Sequence, residues 1–217
     1  MFVIYALPIG LLLGLVLGGR LAGLADLKFR WAALAVAGFM AQVILFSEPV
    51  SQRIGAFGPP IYVASTTLVL LAVIGNVRIR GMALVAIGAA SNLAAIVANG
   101  GYMPASAAAA AAIGRDPIVD YSNSAIIPSP ALEPLTDVIA LPTWLPFTNI
   151  VSIGDLFIGL GIVVVIVAAM RSARDGAVAA ANPVADAGEP AGPALAAEPA
   201  GPADTASAPV LDGNSPI

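Results

Sequence analysis

The chain has 217 residues, 59 % of them hydrophobic and 10 % charged, with a mean hydropathy of +0.94 and a formal net charge of −4. It is too apolar and too poor in charge for a soluble domain of this length, which directs it to a lipid bilayer. Having no cysteine and no histidine, it excludes disulfides, thiol nucleophiles, imidazole bases, His-ligated haem and nearly all structural zinc sites, so any chemistry would rest on carboxylates, hydroxyls and amides.

Apolar runs of roughly 17 to 25 residues are long enough to cross a bilayer as helices, the conformation that satisfies backbone groups inside lipid. Five are predicted, at about residues 3–19, 29–46, 59–77, 82–98 and 153–170, giving an all-α, polytopic membrane fold over residues 1–174. The first run lacks the basic start and small-residue cleavage pattern of a signal peptide and is read as a retained span. Its Gly10, Gly14 and Gly18 fall on one stripe that lets another backbone approach closely, most economically a helix of the same chain.

The second run opens on Arg30-Trp31 and carries Gln42; the third carries Ser65-Thr66-Thr67. The fourth places Gly88, Asn92 and Asn99 along one side, since four residues make about one helical turn and seven about two. Asn92 lies well inside that span, where an unpaired amide is costly. An interhelical hydrogen bond is therefore expected, with Gln42 and the hydroxyl cluster as natural partners.

Between the fourth and fifth runs lies a loop over 99–152, too long to be a mere connector. It opens with Asn99-Gly100-Gly101-Tyr102-Met103-Pro104, where the glycine pair and the later proline stop a helix. The alanines after Pro104 predict a short surface helix over about 105–113, closed by Gly114. Prolines at 117, 128, 130, 134, 142 and 146 argue against further long helices. At the far end, Ser152-Ile-Gly-Asp155 has the spacing of a capping box ahead of an apolar run. The sharper alternative is a polar outer-face pocket in which Asp155 and Asn99 lie at similar depth with Gly100, Gly101, Tyr102, Tyr121, Asn123, Asp137 and Ser152.

With five spans, Arg20, Lys28, Arg30, Arg78, Arg80, Arg171 and Arg174, seven of the nine basic residues, fall on one side. By the positive-inside rule the N-terminus and the 99–152 loop are extracytoplasmic and the C-terminus cytoplasmic. Tyr5, Phe46, Tyr62, Tyr102, Trp144 and Phe147 then sit near the outer boundary and Trp31 near the inner one, as interfacial anchors. Residues 175–217 hold six acids, no base and two copies of Glu-Pro-Ala-Gly-Pro-Ala, the composition of a disordered acidic tail.

The Gly-Gly-Arg end of the first run (18–20), the Arg30-Trp31 start, NGGYMP at 99–104 and Thr136-Asp-Val-Ile-Ala-Leu-Pro142 leading to SIGD at 152–155 resemble a bacterial membrane family, domain of unknown function 5317. The resemblance covers about residues 1–171 and implies five spans in the cell (inner) membrane. It carries no assigned activity.

No catalytic, cofactor-binding or metal-binding residue is designated and no cofactor is expected. A non-catalytic accessory or scaffold subunit ranks first, with the lipid bilayer and another membrane protein as partners. A small carrier for a solute or lipid ranks second, because transport usually leaves ionisable residues or broken helices at mid-membrane. An outer-leaflet enzyme using loop carboxylates ranks third, since Asp116, Asp120, Glu133, Asp137 and Asp155 have no catalytic spacing. Nucleic-acid binding is not expected, because the basic residues only flank the spans.

Overall fold

The computed structural model describes residues 3–114 and 124–181. In chain order these form α1 (Val3–Val16), α2 (Ala22–Ala25), α3 (Ala32–Leu45), α4 (Glu48–Ser51), a 3-10 turn (Gly55–Phe57), α5 (Gly58–Ile74), α6 (Met82–Ala98), β1 (Met103–Ala105), α7 (Ala107–Ala112), β2 (Ser124–Ile126), a 3-10 turn (Glu133–Leu135), β3 (Ile139–Ala140), β4 (Ile150–Val151) and α8 (Ile153–Ala181). Two helical segments, Gly55–Ile74 and Ile153–Ala173, are long and apolar enough to cross a membrane; α1, α3 and α6 are shorter apolar helices. Outward-facing side chains on α1 and α3 are themselves apolar, among them Leu12, Val16, Val36, Val43 and Ile44, which marks helices greasy all round rather than on one core-facing stripe.

The main packing runs α1 to α8, α8 to α6, α6 to α5 and α5 to α3. Helices α1 and α8 lie parallel, with Gly10 against Ile166 and Gly14 against Met170. Helices α6 and α8 lie antiparallel and touch through two glycine pairs, Gly88 with Gly154 and Gly81 with Gly161. Removing the Cβ atoms at a crossing lets backbones approach closely and brings more atoms into dispersion contact. Helices α3 and α5 are also antiparallel, with Gly38 against Val69 and the Phe46 and Tyr62 rings edge to face at 5.0 Å.

Gly18 departs from the expected stripe. The Gly18 N–H donates to the Leu15 carbonyl and the Gly19 N–H to that of Gly14, at 2.9 and 2.8 Å, the paired bonds of a Schellman cap, with Gly18 at φ 75°. Gly18 therefore ends α1, and Gly19 takes the next place against Met170.

The expected all-α architecture needs a second correction. The described part of the 99–152 segment is a folded cap holding two small sheets: β1 pairs with β2 in parallel and β3 with β4 antiparallel. Prolines break helices there, and the exposed backbone groups must find other partners. The Asp137 N–H donates to the Pro104 carbonyl and the Ser106 N–H to that of Asp137, both at 2.9 Å. Helix α7, capped by the Ser106 hydroxyl, does not lie free on the surface, because Ala109 and Ala110 pack with Ala105 and Ile150 in a small core.

Helix α8 runs on to Ala181, so the first seven residues assigned by sequence to the acidic tail continue the helix, as an alanine-rich stretch favours. Residues 182–217, and Arg115, Asp116, Asp120, Tyr121 and Asn123 of the loop, lie outside the described residues.

Candidate functional site

The densest polar contact among the described residues joins the start of α8 to α6. The Asp155 N–H donates to the Ser152 hydroxyl at 3.0 Å, and the Ser152 N–H donates to Asp155 Oδ2 at 3.2 Å. These reciprocal bonds are a capping box, which satisfies orphan amides at the helix start. The other carboxylate oxygen, Oδ1, accepts from Asn92 Nδ2 at 3.0 Å, while Asn92 Oδ1 accepts from the Ser152 hydroxyl at 2.9 Å. Three side chains from two helices thus close a ring in which both Asp155 oxygens already serve as acceptors.

The ring sits where glycines bring the two helices together. A Cβ on Gly154 would run into Asn92 Oδ1 and would lie 2.7 Å from the Gly88 carbonyl oxygen. Asn92 reaches the carboxylate only because Gly154 leaves that space. Ser152 is fully buried, and Asn92 and Asp155 are half-buried.

Asn92 does not pair with Gln42 or the hydroxyl cluster. Gln42 Nε2 instead donates to Thr66 Oγ1 at 3.3 Å, tying α3 to α5, while Ser65 and Thr67 donate to the Tyr62 and Val63 carbonyls of their own helix. Nor does Asn99 join Asp155. Its Nδ2 donates to the carbonyls of Ala95 and Ala131, and its Oδ1 accepts from the Ala131 N–H. The expected pocket built on Asn99 and Asp155 is replaced by two separate polar contacts. Gly100 and Gly101, at φ 71° and 90°, end α6 in a second Schellman cap, with the Gly101 N–H on the Ile96 carbonyl at 2.8 Å. Gly101 also lies against Pro59, so closely that a Cβ there would be 2.8 Å from Pro59 Cα. Tyr102 is half-buried, and Asp137 is buried beside β1 through the Ala105–Asp137 bridge.

Asn76, which the sequence reading missed, repeats the Asn99 arrangement at the C-terminal end of α5. Its Oδ1 accepts from the Arg30 N–H at 2.7 Å, and its Nδ2 donates to the carbonyls of Arg30 and Ala72 at 2.6 and 2.7 Å. Each asparagine grips both backbone groups of one distant residue, as a neighbouring strand would, and also caps its own helix. In each case the residue after the gripped one has a left-handed backbone: Trp31 at φ 60° and Leu132 at φ 54°. That conformation is costly for a non-glycine residue and persists only where surroundings impose it. Trp31 then lies against Gly75, with the Arg30 guanidinium 4.7 Å from its ring centroid. The available signal was a Gly-Asn pair, Gly75-Asn76, near the end of the third apolar run. Asn76→Ala should lower unfolding stability by about 1–3 kcal/mol, since it leaves the part-buried Arg30 N–H and C=O without their partner. Thermal melting of the purified variant checks this, and an unchanged midpoint would remove the clamp as a stabilising element.

At the other end of α8, Arg20, Gly23, Asp26, Leu27, Ala169 and Ser172 border an open groove of about 640 Å³. Its one cationic and one anionic side chain give it no charge preference. Among the described residues no group of three or more His, Cys, Asp or Glu side chains is placed to hold a metal ion.

No curated protein and no solved structure matches this chain. One family model does, across residues 26–167, a stretch that leaves α1 outside but takes in both asparagine clamps, the cap and all three members of the ring. On that match the chain belongs to a family of unknown function, DUF5317.

Proposed function

We propose that this protein is a five-pass integral membrane protein of the bacterial cell membrane and works there as a non-catalytic accessory or scaffold subunit. Helices α1, α3, α5, α6 and α8 are the spans, with the N-terminus and the cap outside and the C-terminus in the cytoplasm. The alternating directions of α3, α5, α6 and α8 and the parallel α1 and α8 support an odd number of crossings. So does the gathering of Arg20, Arg30, Arg78, Arg80 and Arg171 at one set of helix ends. Helices α1 and α3, at 14 residues each, extend about 21 Å against a hydrocarbon core of about 30 Å. Flanking turns, snorkelling basic residues and local thinning of the bilayer can accommodate that difference.

The observation that carries the non-catalytic reading is the closed ring of Asn92, Ser152 and Asp155. A carboxylate oxygen has two lone pairs and one hydrogen bond does not block it; the reading rests on a structural duty that accounts for Asp155 without a proton or cation to serve. Both oxygens of Asp155 are used to start α8 and to hold it against α6.

The test is purification of the native protein from its own host in mild detergent, followed by mass spectrometry of everything still bound. A stoichiometric protein partner is the expected result. A lone protein retaining one enriched lipid or solute would overturn the scaffold reading in favour of a carrier. Topology is checked separately by reporter fusions. Fusions after Val50 and Gly114 should report outside, and those after Leu27, Arg80 and Ala181 inside; any reversal would refute the five-pass arrangement.

A further inference from the structure

Three non-glycine residues in the described structure have positive φ: Trp31, Leu132 and Phe147. The first two follow residues gripped by Asn76 and Asn99. Phe147 follows Pro146, whose carbonyl accepts from the distant Tyr5 hydroxyl, and its left-handed backbone at φ 59° turns the ring outward, where it is 74 % exposed. Nearby Trp144 is 79 % exposed. Two aromatic rings this exposed bury little inside the fold, so what they meet lies outside it.

The residues around the two rings identify that environment. From Val138 to Gly154 the chain carries no charged side chain. Residues 141–149 form the hairpin loop between β3 and β4, closed by the Leu141 N–H on the Asn149 carbonyl at 2.9 Å. Part of its backbone is occupied from within. Pro142 and Pro146 have no N–H, and the Leu145 N–H donates to the Pro142 carbonyl at 3.1 Å. The Thr148 hydroxyl donates to the Leu145 carbonyl at 2.8 Å, and the Pro146 carbonyl accepts from the Tyr5 hydroxyl. With no charged side chain the loop can rest at the headgroup boundary, where headgroups and water still serve its remaining N–H groups. Tyr5 lies in the first turn of α1, so its bond to Pro146 sets the loop beside the end of an apolar helix.

We infer that the 141–149 hairpin is a lipid anchor, whose Trp144 and Phe147 rings dip into the outer leaflet at the boundary of headgroups and acyl chains and hold the cap against the membrane. This rests on the membrane reading above. Aromatic rings favour that depth because one part of the surroundings is apolar and another wet. A protein partner would ordinarily meet a polar or charged rim around such a pair, and this segment supplies no charge.

The test reconstitutes the full chain and Trp144→Phe into phosphatidylcholine–phosphatidylglycerol vesicles. The difference between their tryptophan emissions isolates Trp144 from Trp31, and a conservative change at so exposed a position leaves folding intact. Lipids brominated on the upper acyl chain should reduce the Trp144 component by roughly half or more, with aqueous iodide having little effect, as expected for a ring about 5–10 Å into the interface. Quenching by iodide but not by brominated lipid would overturn the anchor. If neither quenches, the rings are covered by protein, a second copy or a partner, and the lipid assignment fails. Flotation separates this from the underlying reading: a chain that floats with the vesicles after a high-salt wash keeps its membrane assignment even if the anchor fails, whereas one that does not float removes both.

Discussion

Gly154→Ala is expected to be a strongly damaging single-methyl change, costing about 3 kcal/mol or more of unfolding stability. The added Cβ would occupy the position of Asn92 Oδ1 and lie 2.7 Å from the Gly88 carbonyl oxygen. The first neighbour is a side chain that can move only by breaking its bond to Ser152; the second is backbone. Relief therefore requires α6 and α8 to separate, which also weakens the Gly81–Gly161 contact on the same crossing. Gly100→Ala supplies the control, because nothing lies within 4 Å of a Cβ there. The positive φ alone should cost about 1 kcal/mol. Thermal melting of both variants in the same detergent decides the matter. Equal midpoints would mean that the helix crossing is looser than the geometry requires.

Asp155→Ala comes next, with an expected loss of about 2–4 kcal/mol, because the Ser152 N–H and Asn92 Nδ2 both lose their acceptor in a half-buried site. Asp155→Asn keeps one acceptor oxygen for the Ser152 N–H and should cost about 1–2 kcal/mol. Coupling provides the sharper measurement. In a double-mutant cycle of Asp155→Ala with Asn92→Ala, the two losses should fall short of additivity by about 1 kcal/mol or more, since both changes break one ring. Strict additivity would show the two residues to be energetically independent. An Asp155→Asn protein as stable and abundant as the parent but unable to support the native function would point instead to proton transfer or cation binding at this carboxylate.

These effects meet at residues whose local roles and tertiary partners were unequally legible. The apolar runs at about 3–19, 29–46, 59–77, 82–98 and 153–170 locate the five long helices, because a long apolar run bounded by glycine pairs, basic residues or a capping box is a local pattern. Ser152 and Asp155 are legible for the same reason: a capping box closes within one helical turn. The Asn99-Gly-Gly stop is also local, since the first glycine takes φ 71° and its cap forms on the last turn of α6.

The sequence by itself therefore determined the apolar, mostly helical character of the protein, the approximate location of its five long helices, and the absence of thiol and imidazole chemistry. Only the tertiary structure decided that Asn92 pairs with Ser152 and Asp155 rather than Gln42, that Asn99 holds Ala131, and that Asn76 holds Arg30. It also decided that the glycines at 81, 88, 154 and 161 bring α6 and α8 into close contact. A side-chain amide can bond almost any partner within about 3 Å, and which partner comes that close depends on the order in which helices pack. In apolar helices with no polar face to orient them, that order is set by shape complementarity at small residues, a property of two surfaces together that neither stretch of sequence carries alone.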